Sequence, residues 1–155
     1  MKTSTALLIV GAAVVLGGII FIVGSSSMSG EVEYNYSIDV QDSFISISGD
    51  AVWADHGFQF AIVSYHIYNR TYGDTISTSP MTWQMKVRLD GVEYSNSLVT
   101  VQHPWYNVID VPKGSDGECV QVFQVPMGHA VDEIDITLDI HFTGARIIYN
   151  PDLPV

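Results

Sequence analysis

The sequence predicts an all-β fold: an immunoglobulin-like antiparallel β-sandwich of about seven to nine strands, preceded by one N-terminal transmembrane helix. Three observations predict it. Residues 6–23 contain no charge and no strong polar group. Beyond residue 30 the apolar residues recur with period two, the mark of strands with one face buried. Turn residues then break the chain at short intervals, and nothing after Ser25 carries a helical stripe for more than two turns.

The apolar segment comes first. Eighteen residues at about 1.5 Å each come close to the roughly 30 Å of a bilayer's hydrocarbon core, which suits an uncleaved signal anchor. A cleaved secretory signal is the competing reading, with Ser25, Ser26 and Ser27 supplying small residues for the cut. Lys2 precedes the segment, while Glu31, Glu33, Asp39 and Asp42 follow it, so the positive-inside tendency puts the remainder of the chain outside the cell. Ala13 and Gly17 form a small-xxx-small pair of the kind that lets membrane helices pack. Residues 1–24 therefore read as anchor or signal, 25–30 as a Ser/Gly linker, 31–150 as the ectodomain and 151–155 as a tail.

Each strand has its own pattern. Val32, Tyr34, Tyr36, Ile38 and Val40 alternate with polar residues. Trp83, Met85, Val87 and Leu89 do the same, as do Ile134, Ile136, Leu138, Ile140 and Phe142. Asp90 and Gly91, set between Leu89 and Val92, predict a type I′ hairpin, whose two central positions need positive φ. Phe58, Phe60 and Ile62 give way to Val63, Tyr65 and Ile67, which implies either a bulge or a central strand covered on both faces. Residues 97–101 and 106–111 read as strands flanking a bulky loop of His103, Pro104 and Trp105, with Tyr106 opening the second.

Charge and composition restrict the function. Six Lys plus Arg against 17 Asp plus Glu give a net charge of −11, which excludes a nucleic-acid binder. The single cysteine, Cys119, excludes an internal disulfide and a cysteine zinc cluster. There is no Gly-x-Ser-x-Gly, no Ser-x-x-Lys and no phosphate loop, so catalysis is not expected. No resident cofactor is expected either. A weak Ca2+ site is conceivable from Asp132, Glu133 and Asp135, or from Asp116 with Glu118, although no EF-hand series exists. None of the five histidines has close metal-ligand spacing; only His66 and His141 are able to meet across a sheet. His103, Trp105 and Tyr106 form the candidate binding surface, because aromatic loops bring large contact area at low entropy cost. Asn35 and Asn69 head Asn-x-Ser/Thr triplets and are candidate glycosylation sites.

The order AIVSYHIYNRT, TWQMKVRLDGVEYSNS, VPKGSDGECVQVFQVP and DEIDITLDI resembles the telokin-like, immunoglobulin-fold ectodomain family of bacterial and archaeal secreted proteins and lipoproteins. The matching positions are Asn69, then Asp90, Gly91 and Tyr94, then Gly114 and Gly117, then Phe123, Val125 and Pro126. The resemblance covers about half the chain. It implies the sandwich fold and an extracytoplasmic place, though this chain lacks the acylated cysteine of the lipoproteins. In layout, one helix and then a β-sandwich, the chain is also similar to stator-like accessory proteins of the archaeal motility filament.

These expectations converge on a membrane-anchored extracytoplasmic module that binds a protein or cell-surface partner, surface-layer components included. A structural accessory of an archaeal surface filament is the second reading. A small secreted hydrolase or carbohydrate-binding protein is the third.

Overall fold

The computed structural model describes residues 29–141 and 143–155. The expected membrane segment, residues 6–23, lies outside the described residues, as does Phe142. Among the described residues no helix is long and apolar enough to cross a membrane.

The described chain is predominantly β, as the period-two patterning requires. The largest sheet has four strands: β1 (Ser29–Gln41), β4 (Phe58–Asn69), β9 (Asp116–Pro126) and β11 (Gly144–Tyr149), in the order β11-β1-β4-β9. A three-stranded sheet holds β6 (Trp83–Leu89), β7 (Val92–Ser95) and β10 (Asp135–Ile140) in the order β10-β6-β7. Two short pairs complete it: β2 (Ser43–Ile45) with β3 (Ala51–Trp53), and β5 (Ile76–Ser77) with β8 (Asp110–Val111).

One apolar core joins the two larger sheets. Val32, Ala61, Val63, Tyr65, Ile67, Phe123 and Val125 from the four-stranded sheet cluster with Trp83, Met85, Val87 and Leu89 of β6. Trp83 stacks on Tyr65 with ring centroids 5.7 Å apart and meets Tyr34 edge-on at 6.5 Å. The alternation of β6 is thus the alternation of core and surface, and the apolar residues of β1 pack on the same core. Aspartate 90 and Gly91 take φ of 50° and 78° in the β6–β7 hairpin, as the type I′ reading requires.

The change of phase along residues 58–68 has the second of its two explanations. β4 stays in unbroken register with both β1 and β9, so there is no bulge. It is covered on both faces: Ala61, Val63, Tyr65 and Ile67 enter the main core, while Phe60 and Ile62 join Phe44, Val120 and Val122 in a second cluster.

Several expectations are corrected. The pairing is not wholly antiparallel, because β11 runs parallel to β1 from Ser29↔Gly144 to Tyr34↔Tyr149. Eleven strands are described, several of them only two or three residues long. Residues 97–101 form no strand; a 3-10 helix, Leu98–Gln102, begins at the cap Ser97. The reason is Thr100, whose buried hydroxyl accepts from the Val122 N–H at 2.9 Å and lies 3.0 Å from the Val122 carbonyl oxygen. That side chain occupies the edge of β9 where a paired strand would have to lie. Of residues 106–111, only Asp110 and Val111 are strand. β10 is less one-sided than its sequence, with Ile136, Thr137 and Leu138 all half-buried, because it is an edge strand.

Candidate ligand-binding face

The register builds the outer face of the four-stranded sheet in rows across β1, β4 and β9. The rows are Asn35–His66–Glu118, Ser37–Ser64–Val120, Asp39–Ile62–Val122 and Gln41–Phe60–Gln124. In the last two rows Ile62, Val122 and Phe60 are roofed by the β2–β3 hairpin and by Val99 of the 3-10 helix, with Phe44 against Phe60 at 5.2 Å between centroids, while Asp39 stays exposed. The first row is crossed by the tail, because Asn35 Nδ2 donates to the carbonyl oxygens of Pro151 at 3.2 Å and Leu153 at 2.6 Å. The Ser37–Ser64–Val120 row lies between the two covers. Two small hydroxyl side chains facing each other leave depth there.

Trp105 stands at this opening and is 75% exposed. A cavity of about 410 Å3 lies on one side, lined by Ser37, Ser64, Glu118, Val120 and Trp105. A second, of about 480 Å3, lies on the other and reaches Asp39, Phe44, Ile45 and His103. Both are in the size range of small-molecule sites. No Lys or Arg lines either, and Asp39 and Glu118 make the opening acidic.

The Trp105 loop is held from beneath. The His103 ring packs against Phe44 at 5.1 Å, and its Nδ1 accepts from the Trp105 N–H at 3.3 Å. Partial burial pushes the His103 pKa below the ordinary imidazole value, favouring the neutral ring that this contact requires. Of the three residues expected to form a surface, then, Trp105 is presented outward, His103 supports it, and Tyr106 turns inward to pack on the main core. Cys119 beside them is buried, its Sγ donating to the Asn107 carbonyl at 2.8 Å.

Beyond Trp105 the exposed apolar surface continues. Ile45, Ile47 and Trp53 point away from the inward Phe44 and Val52 of the hairpin and are 59%, 75% and 68% exposed. Leu98 and Val101, eclipsed at i and i+3 of the 3-10 helix, are 92% and 64% exposed. The Ile47 N–H donates to the Gln102 carbonyl, so the hairpin and this helix form one ledge. The sequence reading missed Ile45, Ile47 and Trp53. The signal was two short apolar runs on either side of Gly49 and Asp50, too brief to announce a hairpin.

The polar candidates lie as follows. His66 and His141 are not brought together: His66 is central in the four-stranded sheet, whereas His141 follows β10 and donates its N–H to Thr82. His66 is buried between Asp116, at 2.9 Å from Nε2, and Glu118, at 3.4 Å from Nδ1. Among the described residues no three His, Cys, Asp or Glu side chains are grouped to hold a metal ion. Glu133 is engaged locally; the Ala130 N–H and the His129 side chain hold its carboxyl below the ordinary range. Asp135 opposes Arg88 across the β10–β6 ladder.

Both sequon asparagines are buried, Asn69 completely. Asn69 Nδ2 donates to the carbonyls of Asp74 at 2.7 Å and Val111 at 3.1 Å. A glycan on either Nδ2 would displace these bonds or those that Asn35 makes to the tail.

Compared with family models, with curated proteins and with solved structures, the chain matches none.

Proposed function

We propose that this protein is a membrane-anchored extracytoplasmic module of immunoglobulin-like sandwich architecture, acting by binding a protein or cell-surface partner and not by catalysis. The observation that carries the reading is Trp105, three-quarters exposed at the rim of an opening floored by Ser37, Ser64 and Val120 and continuous with the apolar ledge of Ile45, Ile47 and Trp53. A soluble monomer rarely exposes so many large apolar side chains together unless they meet a partner. Aromatic anchors surrounded by polar residues are the usual energetic centre of an interface.

The anchor reading adds geometry. β1 starts at Ser29, just after the apolar segment, and its 13 residues span roughly 40 Å before the hairpin begins. That length separates Ser29 from the hairpin that carries the ledge. Two sheets sharing one core support the sandwich part of this reading.

Protease treatment of intact cells bearing a tagged full-length chain tests the placement. The domain is expected to be digested without lysis, and protection until lysis would refute the extracytoplasmic reading. Binding of the wild-type and Trp105→Ala proteins to cells lacking the gene tests the surface. The wild type should bind saturably, with Trp105→Ala weakened at least about tenfold; equal binding by the two would remove Trp105 from the function.

A further inference from the structure

The tail is a peptide already seated on the candidate face. The Asn150 N–H closes the last rung of β11 on the Tyr34 carbonyl at 2.8 Å, and Asn150 Nδ2 donates to Glu33 Oε2 at 3.0 Å. The chain then turns. The Leu153 N–H donates to the Asn150 carbonyl at 3.2 Å, and the Asp152 N–H to Asn150 Oδ1 at 3.0 Å. This is a β-turn with Asn150 first and Pro151 second, the positions that those residue types favour. Val155 follows it to the wall of the cavity of about 410 Å3, which Trp105 also lines.

Asn35 holds this turn by its backbone. Asn35 Oδ1 accepts from the Tyr36 N–H at 2.8 Å, which leaves Nδ2 for the tail, where it donates to the carbonyl oxygens of Pro151 and Leu153. Asn35 is 6% exposed, so its amide needs those two acceptors or substitutes for them. An apolar surface offers none, whereas a second peptide turn offers both.

The tail is otherwise lightly held. None of residues 151–155 enters a strand or either apolar cluster, and of the five only Leu153 is half-buried, the rest being exposed. Lifting the turn would break no strand pairing. It would join the Asn35–His66–Glu118 row to the Ser37–Ser64–Val120 row in one groove ending at Trp105.

We propose that residues 151–155 are a strap that closes this groove in cis, and that the partner displaces it with a peptide of the same form. That peptide is a proline-containing turn, whose carbonyls take over the Asn35 amide, followed by a small aliphatic residue beside Trp105. The inference rests on the partner-binding reading of the face and names the chemistry of the partner.

The probe is a fluorescein-labelled peptide of sequence NPDLPV, that of residues 150–155. Its anisotropy is followed with the full chain and with a chain ending at Asn150, both in micelles of a phosphocholine detergent. The shortened chain retains every strand and both apolar clusters. It is expected to bind the peptide saturably and at least about tenfold more tightly than the full chain, whose own tail competes from a short tether. Trp105→Ala in the shortened chain should weaken binding at least about fivefold, and so should NGDLGV in place of the probe. If the shortened chain does not fold, the intact chain decides: saturating peptide should move the Val155 amide resonance to its position in an unstructured peptide. The strap is refuted if the probe binds neither chain, binds both equally, or leaves Val155 in place. Equal binding of NGDLGV refutes the turn as the recognised form. Binding to cells separates this inference from the reading beneath it. If the shortened chain binds cells no better than the full chain while Trp105→Ala still weakens it, the strap is refuted and the surface reading stands. Cell binding indifferent to Trp105 refutes the surface reading, and with it the role given to the partner, while exchange of the probe upholds the strap alone.

Discussion

Asn69 Nδ2 donates to the carbonyl oxygen of Val111 across 42 residues of sequence, and the same amide donates to Asp74 five residues on. One fully buried side chain thereby ties the end of β4 to both partners of the β5–β8 region. Asn69→Ala removes the donor and leaves two carbonyls without it, so a loss of about 1–3 kcal/mol is expected in denaturant unfolding.

Thr100 makes a comparable connection to the edge of β9. Thr100→Val keeps the shape but deprives the buried Val122 N–H of its acceptor. The expected destabilisation is about 1–3 kcal/mol, with faster amide exchange at Val122 as the local readout.

Gly30 leaves no room for a side chain: a Cβ there would lie 2.3 Å from Tyr72 Cα and 2.5 Å from Tyr72 N. Both contacts are with backbone, which cannot swing aside. Gly30→Ala is expected to cost about 1–3 kcal/mol through displaced backbone, seen as a lowered thermal midpoint.

How far the sequence reveals this fold depends on length and on partner. The seven residues of β6 alternate without a fault, and its Asp90–Gly91 turn is chemically determined, so both are readable. β5 and β8 have two residues each and carry no period. The 3-10 helix at residues 98–102 is apolar enough to pass for a strand, and only the long-range contact of Thr100 with Val122 excludes that. The parallel partner of β1 is invisible, because alternation indicates which face is buried but not which strand lies beside it. At the candidate face, Trp105 is legible as a loop aromatic. Ser37 and Ser64 are not, since a serine becomes a floor only when the register sets it opposite another.

Stability should fall with acid in two separate windows. The Arg70 guanidinium and the Asn150 amide hold the Glu33 carboxyl below its ordinary range, and Lys86 and Arg88 do the same for Glu93. Folding favours these ionised forms, so their contribution is present above the ordinary carboxylate range and disappears as pH falls through the depressed folded values. Half-buried His103 is depressed as a base, so the unfolded chain binds its proton first. Stability therefore declines from about pH 6.5 downward and levels off below the folded value. Unfolding curves across pH check both, and His103→Gln should erase the upper window while leaving the lower one.

The tryptophans should separate function from stability. Trp105→Ala, at an exposed rim, is expected to change unfolding free energy by less than about 0.5 kcal/mol. Trp83→Ala, in the core, should cost about 3–5 kcal/mol. Parallel denaturant titrations distinguish them, and an equally damaging Trp105→Ala would mean that its indole belongs to the packing.

The parallel pairing of β1 with β11 determines how the domain answers to tension. A pull applied at residue 29 and another beyond residue 149 would draw these two neighbours apart along their lengths, in opposite directions. The six register pairs from Ser29↔Gly144 to Tyr34↔Tyr149 would then be sheared together instead of parting one at a time. A hairpin pulled at its two open ends unzips bond by bond, so rupture here should demand the greater force.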